Sequence, residues 1–280
     1  NGYTESFTSL LELLDDQRFA RNILPDDKQL SQVMIRRLKS DLVDSDGKPL
    51  YAQRTLQALA VPYTREERDI HQKLNDYCAS REKDSDSGCS SFGTTFVNQL
   101  LKKRLFSSPS AFASTLEKHV ATLAEGGRRK PKDAMSERIL RKAILRVDED
   151  YANDQSVETA QSEAVEEASR SAQPLSQDQQ RMLAELRQWA QRAKNQPDSK
   201  ATAILAWLET HLRPGGKWNE RRVILFTEYR TTHQWMHEIL ASHGFGGERL
   251  GLLHGGLTQD EREPIKAAFQ ASPKDSPVRI

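Results

Sequence analysis

The sequence predicts a mainly helical chain that closes on an α/β part. Three observations carry that expectation. Apolar residues recur at the i, i+3, i+4 spacing of a helix over most of the first 212 positions. Residues that cap helices stand just ahead of several of those stripes. After residue 220 the pattern changes to short, wholly apolar runs that alternate with helical stripes, as in a parallel α/β sheet. Hydrophobic residues make up 36% of the 280 positions and charged residues 29%, enough for real cores joined by charge-rich surfaces.

The elements follow in order. Thr4 caps a helix carrying Phe7, Leu10, Leu11 and Leu14. A second helix starts near Pro25-Asp26-Asp27, carries Leu30, Val33, Met34 and Leu38, and ends in the basic run Arg36-Arg37-Leu38-Lys39. Asp44-Ser45-Asp46-Gly47 is turn chemistry. Residues 54–61 read as extended, with a weak alternation. Thr64-x-x-Glu67 is a capping box, followed at helical spacing by Ile70, Leu74 and Tyr77. Residues 80–91 read as a polar loop, and two helices follow, broken at Ser107-Ser108-Pro109. The first holds Phe92, Phe96, Leu100, Leu101 and Leu105 beside the cluster Lys102-Lys103-Arg104; the second holds Phe112, Leu116, Val120 and Leu123.

Gly126-Gly127-Arg128-Arg129-Lys130-Pro131-Lys132 reads as flexible and basic. Residues 147–175 are acidic and poor in large apolar groups, so they read as a flexible linker, an insertion or a solvated helix. Ser176-x-x-Gln179 opens a helix with Met182, Leu183, Leu186, Trp189 and Ala190 on one face. Asp198 or Ser199 caps the next, and Pro214-Gly215-Gly216 ends it. Strands are expected near 223–226, 250–253 and 278–280, with helices at Thr232–Leu240 and after Thr258. The expected organisation is a helical region over 1–146, the acidic stretch over 147–175, and helices leading into the α/β part over 176–280.

Composition excludes several function classes. Forty-one basic against 40 acidic side chains leave a net charge of +1, so only local patches can argue for a polyanion. Two cysteines, Cys78 and Cys89, support neither a disulfide scaffold nor a multi-cysteine zinc site, and both read as inert. The histidines form no metal-spaced cluster, and no apolar run approaches the roughly 20 residues of a membrane helix. No Gly-x-x-x-x-Gly-Lys-Ser/Thr loop and no Asp-Glu-x-His tetrad is present, so no catalytic residue is assigned.

In an open α/β sheet, ligands meet the loops after the strands. Two such loops are expected, Thr227-Glu228-Tyr229-Arg230 and His254-Gly255-Gly256-Leu257-Thr258. Paired glycines let backbone N–H groups approach a phosphate, and a helix starting at Thr258 adds partial positive charge. From spacing alone a plain strand-to-helix turn is the stronger reading. His254 reads better as a hydrogen-bonding loop residue than as a base. The Arg36-Arg37-x-Lys39 run suits either phosphate contact or a solvated face, and the solvated reading leads for Lys102-Lys103-Arg104.

Beside this reading stands a resemblance. Arg222-Val-Ile-Leu-Phe-Thr-Glu-Tyr-Arg230, Leu253-His-Gly-Gly-Leu-Thr-Gln-Asp-Glu-Arg262, Phe269 and Val278-Arg279-Ile280 resemble the second RecA-like lobe of superfamily 2 helicases. Asn1-Gly2 with Phe7-x-x-Leu-Leu-x-Leu-Leu-Asp15 resembles the segment after the Thr-Ala-Thr-Pro motif of the first lobe. Met34-Ile-Arg-Arg-Leu-Lys-Ser-Asp41 resembles the Arg-Arg-x-Lys stretch of Swi/Snf-type ATPases, and the nearest branch is bacterial.

The resemblance implies a piece of an ATP-dependent, nucleic-acid-stimulated helicase or double-stranded DNA translocase. Such a piece starts after the first lobe's catalytic motifs and ends within a truncated second lobe. The expected nucleic-acid contacts are Arg36, Arg37, Lys39, Thr227, Tyr229, His254, Gly255, Gly256 and Thr258. Arg262 and Phe269 match positions that look structural. ATP and Mg²⁺ are expected in the intact parent, with neither bound tightly by this piece, which is expected not to hydrolyse ATP alone. The expected setting is the bacterial cytoplasm, at the nucleoid, with a possible protein partner on the acidic stretch and no membrane. The competing expectation is a non-enzymatic helical adaptor for a protein partner.

Overall fold

The computed structural model describes residues 4–52, 54–84, 89–126, 142, 154–170 and 172–280. They divide into two compact units, Asn1–Ala58 and Leu59–Ile280.

In the first unit, α1 spans Thr4–Leu14 and α2 spans Asp27–Val33. Asp26 caps α2 with a reciprocal box to Gln29, as its position beside Pro25 suggests. The helix stops at Val33, because Met34 is already extended (φ −132°, ψ 128°), so the basic run lies beyond it and not on it. Of the expected α1 stripe only Leu11 is buried; Leu10 and Leu14 are exposed. The turn over Asp44–Gly47 forms as its residues dictate. The Asp44 carboxylate accepts from the N–H groups of Asp46 (2.9 Å) and Lys48 (2.8 Å), and an antiparallel bridge joins Val43 to Pro49.

The second unit opens with a five-helix assembly: α3 Arg65–Asp84, α4 Cys89–Ser107, α5 Pro109–Gly126, α6 Asp154–Arg170 and α7 Gln177–Ala193. The two expected capping boxes are present. Glu67 accepts from the N–H of Thr64 (2.7 Å), and Gln179 accepts from the N–H of Ser176 (3.1 Å). The shared core holds Leu74, Tyr77, Leu101, Phe112, Leu116, Leu186 and Trp189. Residues 154–170 of the acidic stretch form α6, and its small face (Ala160, Ala164, Val165, Ala168) is buried. Alanines let a helix with little apolar bulk approach its neighbours closely, so a segment this polar still packs. Of the flexible basic stretch expected over 126–132, Gly126 ends α5 and 127–132 lie outside the described residues.

Beyond the assembly, α8 spans Ser199–Leu212 and is capped by Asp198, whose Oδ1 accepts from the Ala201 N–H at 2.7 Å. Gly215 and Gly216 (φ +63° and +77°) turn the chain out of it. Next come α9, Arg230–Leu240, and α10, Gln259–Gln270. A second core joins Leu208, Leu212, Trp235, Ile239, Leu240, Phe245 and Ile280. Trp218, hard to place from sequence, sets its ring edge-on to Phe245 at 5.7 Å.

The expected α/β part is corrected here. About 65% of the described residues are helical and 1% are strand, and no sheet is present among them. The three apolar runs are extended and adjacent, but only a few backbone bonds join them. Val223 N–H donates to the Arg279 carbonyl (2.9 Å) and Gly251 N–H to that of Ile280 (2.8 Å). Arg279 and Ile280 both direct their N–H groups to the single carbonyl of Arg249, which is not the pattern of a parallel ladder. Side chains take other acceptors: the Val278 carbonyl accepts from Arg222 Nε (3.3 Å) and Arg279 Nη1 (2.8 Å). The runs enclose, with α9 and α10, an apolar cavity of about 290 Å³, and Phe226 is left 90% exposed.

Candidate nucleic-acid interface

The two turns singled out from sequence meet. Arg230 is the first residue of α9, and its Nη1 lies 3.2 Å from where a Cβ on Gly256 would stand. The same point is 3.3 Å from His254 Nδ1, so only glycine fits without displacing a neighbour. Gly256 N–H donates to His254 Nδ1 at 3.2 Å, which leaves the proton of a neutral ring on Nε2. His233, one turn along α9 from Arg230, faces His254 edge-on with ring centroids 6.0 Å apart. Arg262 reaches back from α10 and donates Nη2 to the Gly255 carbonyl at 2.6 Å. Its Nε is buried with no hydrogen-bond partner among the described residues.

Thr258 does cap its helix. Its Oγ1 accepts from the Glu261 N–H (3.4 Å), and the Glu261 carboxylate accepts from the N–H and hydroxyl of Thr258 (2.8 and 2.9 Å). Those bonds hold the Glu261 carboxyl below the usual carboxylate range. The helix start therefore carries its own anion, and the positive charge of the site comes from Arg230 and Arg262 rather than from the helix dipole.

The other expected residues are placed as follows. Thr227 is half-buried on the extended run before α9. Tyr229 is 6% exposed, and its ring lies under the Arg104 guanidinium at 3.9 Å, facing the helical assembly and not solvent. Burial first, and then the neighbouring Glu228, push its phenol up to about 12. Arg36 and Arg37 are exposed in the first unit, and the Lys39 ammonium sits 5.3 Å from the centre of the Tyr51 ring.

Arg230, His233 and Arg104 were not among the residues expected from sequence, and Arg262 was expected to be structural. A local signal exists for the first two: positions 230 and 233 share a helix face, one turn apart. The same logic ties Arg262 to the Gly-Gly turn, four residues after the Thr258 cap. Among the described residues, no three His, Cys, Asp or Glu side chains converge to hold a metal ion. No helix there is long and apolar enough to cross a membrane.

Comparison with known proteins gives no match among protein families, curated proteins or solved structures.

Proposed function

We propose that this chain supplies nucleic-acid backbone contacts within an ATP-driven, nucleic-acid-stimulated helicase or double-stranded DNA translocase. The observation that carries the reading is the meeting of Arg230 with the Gly255–Gly256 turn, which brings the guanidinium groups of Arg230 and Arg262 to one turn, two charges suited to phosphate. The motif likeness at 222–230 and 253–262 supports the same class. ATP and Mg²⁺ belong, on this reading, to other parts of the parent. The proposed setting is the bacterial cytoplasm, on DNA.

A polarisation titration of labelled duplex tests it. Two arginines on two phosphates give a salt slope of about −1.8, so raising salt fourfold should weaken binding about tenfold, whatever the base sequence. Arg230→Met should reduce the slope by about 1. Absence of binding at low salt, or binding that ignores salt, refutes the assignment.

A further inference from the structure

Of the basic triplet Lys102-Lys103-Arg104, Lys103 is exposed and Lys102 half-buried, whereas Arg104 leaves the surface. Arg104 is 3% exposed, deep between α4, α6 and the start of α9. Its Nη1 donates to Glu158 Oε1 (3.2 Å) and its Nη2 to Gln161 Oε1 (2.8 Å), both from α6. The face of the guanidinium covers the Tyr229 ring. Glu158 also accepts from the Thr231 hydroxyl. Thr232 adds bonds of its own: its Oγ1 lies 2.6 Å from Ser107 Oγ and 2.9 Å from Ser108 Oγ. Tyr229, Thr231 and Thr232 are thus tied to the helical assembly. Arg230 and His233, interleaved with them, lie toward the Gly255–Gly256 turn.

Burying a cation is costly unless every neighbour compensates. Here a carboxylate, an amide and an aromatic face do so, while Nε has no partner among the described residues. An apolar side chain of similar length would fill the space without that cost. What it cannot do is hold a carboxylate that in turn fixes Thr231.

We infer that Arg104 is a positioning residue through which the helical assembly sets the grip of the phosphate turn. By holding Tyr229 directly and Thr231 through Glu158, it fixes Arg230 and His233 against Gly255–Gly256, without touching nucleic acid itself. The inference rests on the function proposed above and names how that site is controlled. A shift of α6 relative to α4 would move Glu158 and release Thr231, so an event on the assembly reaches the turn through this cluster.

The experiment compares Arg104→Met, Thr231→Val and Thr231→Ser with the unchanged chain, using two measurements. Hydrogen exchange reads the clamp with no nucleic acid present. Arg104→Met should speed exchange of the amides over 230–235 while those of α3 and α7 keep their protection. Duplex titration reads the consequence: affinity about tenfold weaker with the salt slope unchanged, because no phosphate contact is removed. Thr231→Val should act in the same direction and Thr231→Ser should restore wild-type behaviour. A salt slope reduced as in Arg230→Met would make Arg104 a phosphate ligand and overturn the inference. So would unchanged affinity, or unchanged exchange over 230–235. If Arg104→Met exposes the whole assembly to exchange, the Thr231 variants decide, since Thr231→Val removes the hydroxyl at nearly constant volume and Thr231→Ser keeps it. If the unchanged chain fails to bind duplex, the proposed function falls, and with it the control of grip; the exchange measurement then tells whether the clamp exists by itself.

Discussion

Acid should unfold the helical assembly through one histidine. His119 lies on α5 and is 3% exposed. Its Nε2 is 2.8 Å from the Tyr77 hydroxyl on α3, and its Nδ1 is 2.7 Å from the Ser169 hydroxyl on α6. Two hydroxyls, each able to donate or accept, satisfy both nitrogens of a neutral ring. The cationic ring is disfavoured, first by burial and then by the charge of Arg81, and its pKa falls from 6.5 to about 3. Arg81 is itself held in place, donating to Gln179 Oε1 and to the Gln173 carbonyl, so it does not swing away. The sign follows from linkage. The folded pKa is below the unfolded one, so the unfolded chain binds the extra proton between them and stability is lost as pH falls. Full stability holds above about 6.5, and the loss runs down toward about 3. Between pH 7 and pH 5 the chain should lose about 2 kcal/mol, and by pH 4 about 3 kcal/mol, from this group alone. The assay is urea unfolding at stepped pH, followed by tryptophan fluorescence, on the unchanged chain and on His119→Gln. The glutamine keeps a donor and an acceptor but cannot titrate, so its profile should be flatter by that amount over the same interval. Parallel profiles for the two proteins would refute the argument.

Two further outcomes follow from single groups. Glu67 caps α3 and also accepts from the N–H of Ser199 (2.8 Å), so it ties the start of α8 to the start of α3. Burial alone would raise its carboxyl, but the bonds from Ser199 and Thr64 hold it below the usual range. Its stabilisation is therefore present at neutral pH and is lost as pH falls through that lowered pKa. Glu67→Ala should cost about 1–3 kcal/mol at pH 7 and clearly less near pH 3, by urea unfolding at both. Cys78 is fully buried and its thiol is pushed up to about 12, first by burial. With Cys89→Ser in place, the remaining thiol should resist a thiol-specific reagent at pH 8 until the chain is unfolded; rapid native labelling would contradict the burial.

What was legible in the sequence was what is local. Thr64, Ser176, Asp198 and Thr258 each cap a helix because a short polar side chain finds a backbone N–H three residues on, and that requirement is written in neighbouring letters. The sheet was misread for the complementary reason. Four apolar letters in a row predict a buried extended run, but Ile224 and Phe226 are exposed, and pairing depends on which distant carbonyls stay available. Arg222 and Arg279 occupy the acceptor at Val278. At the candidate site, the glycine pair and His254 were visible as a turn, whereas Tyr229 was read as facing a ligand and is packed under Arg104.

Charge patterning misleads most where two misreadings cancel each other. A basic triplet on a helix and an acidic, alanine-rich stretch each read as solvated, because neither alone can satisfy its charge away from water. Arg104 and Glu158 stand 54 positions apart, and the half-buried carboxylate helps make the burial of the cation tolerable. Ser107 and Thr232, 125 positions apart, close the same cluster with hydroxyls that carry no sequence signal at all. The alanine face of α6 then needs little apolar area to dock, since its contribution is to bring Glu158 and Gln161 to a cation already held by α4. A stretch can thus be too polar to fold by itself and still be required where it lies, and the place to look for its partner is the one basic residue that the surrounding helix cannot keep in water.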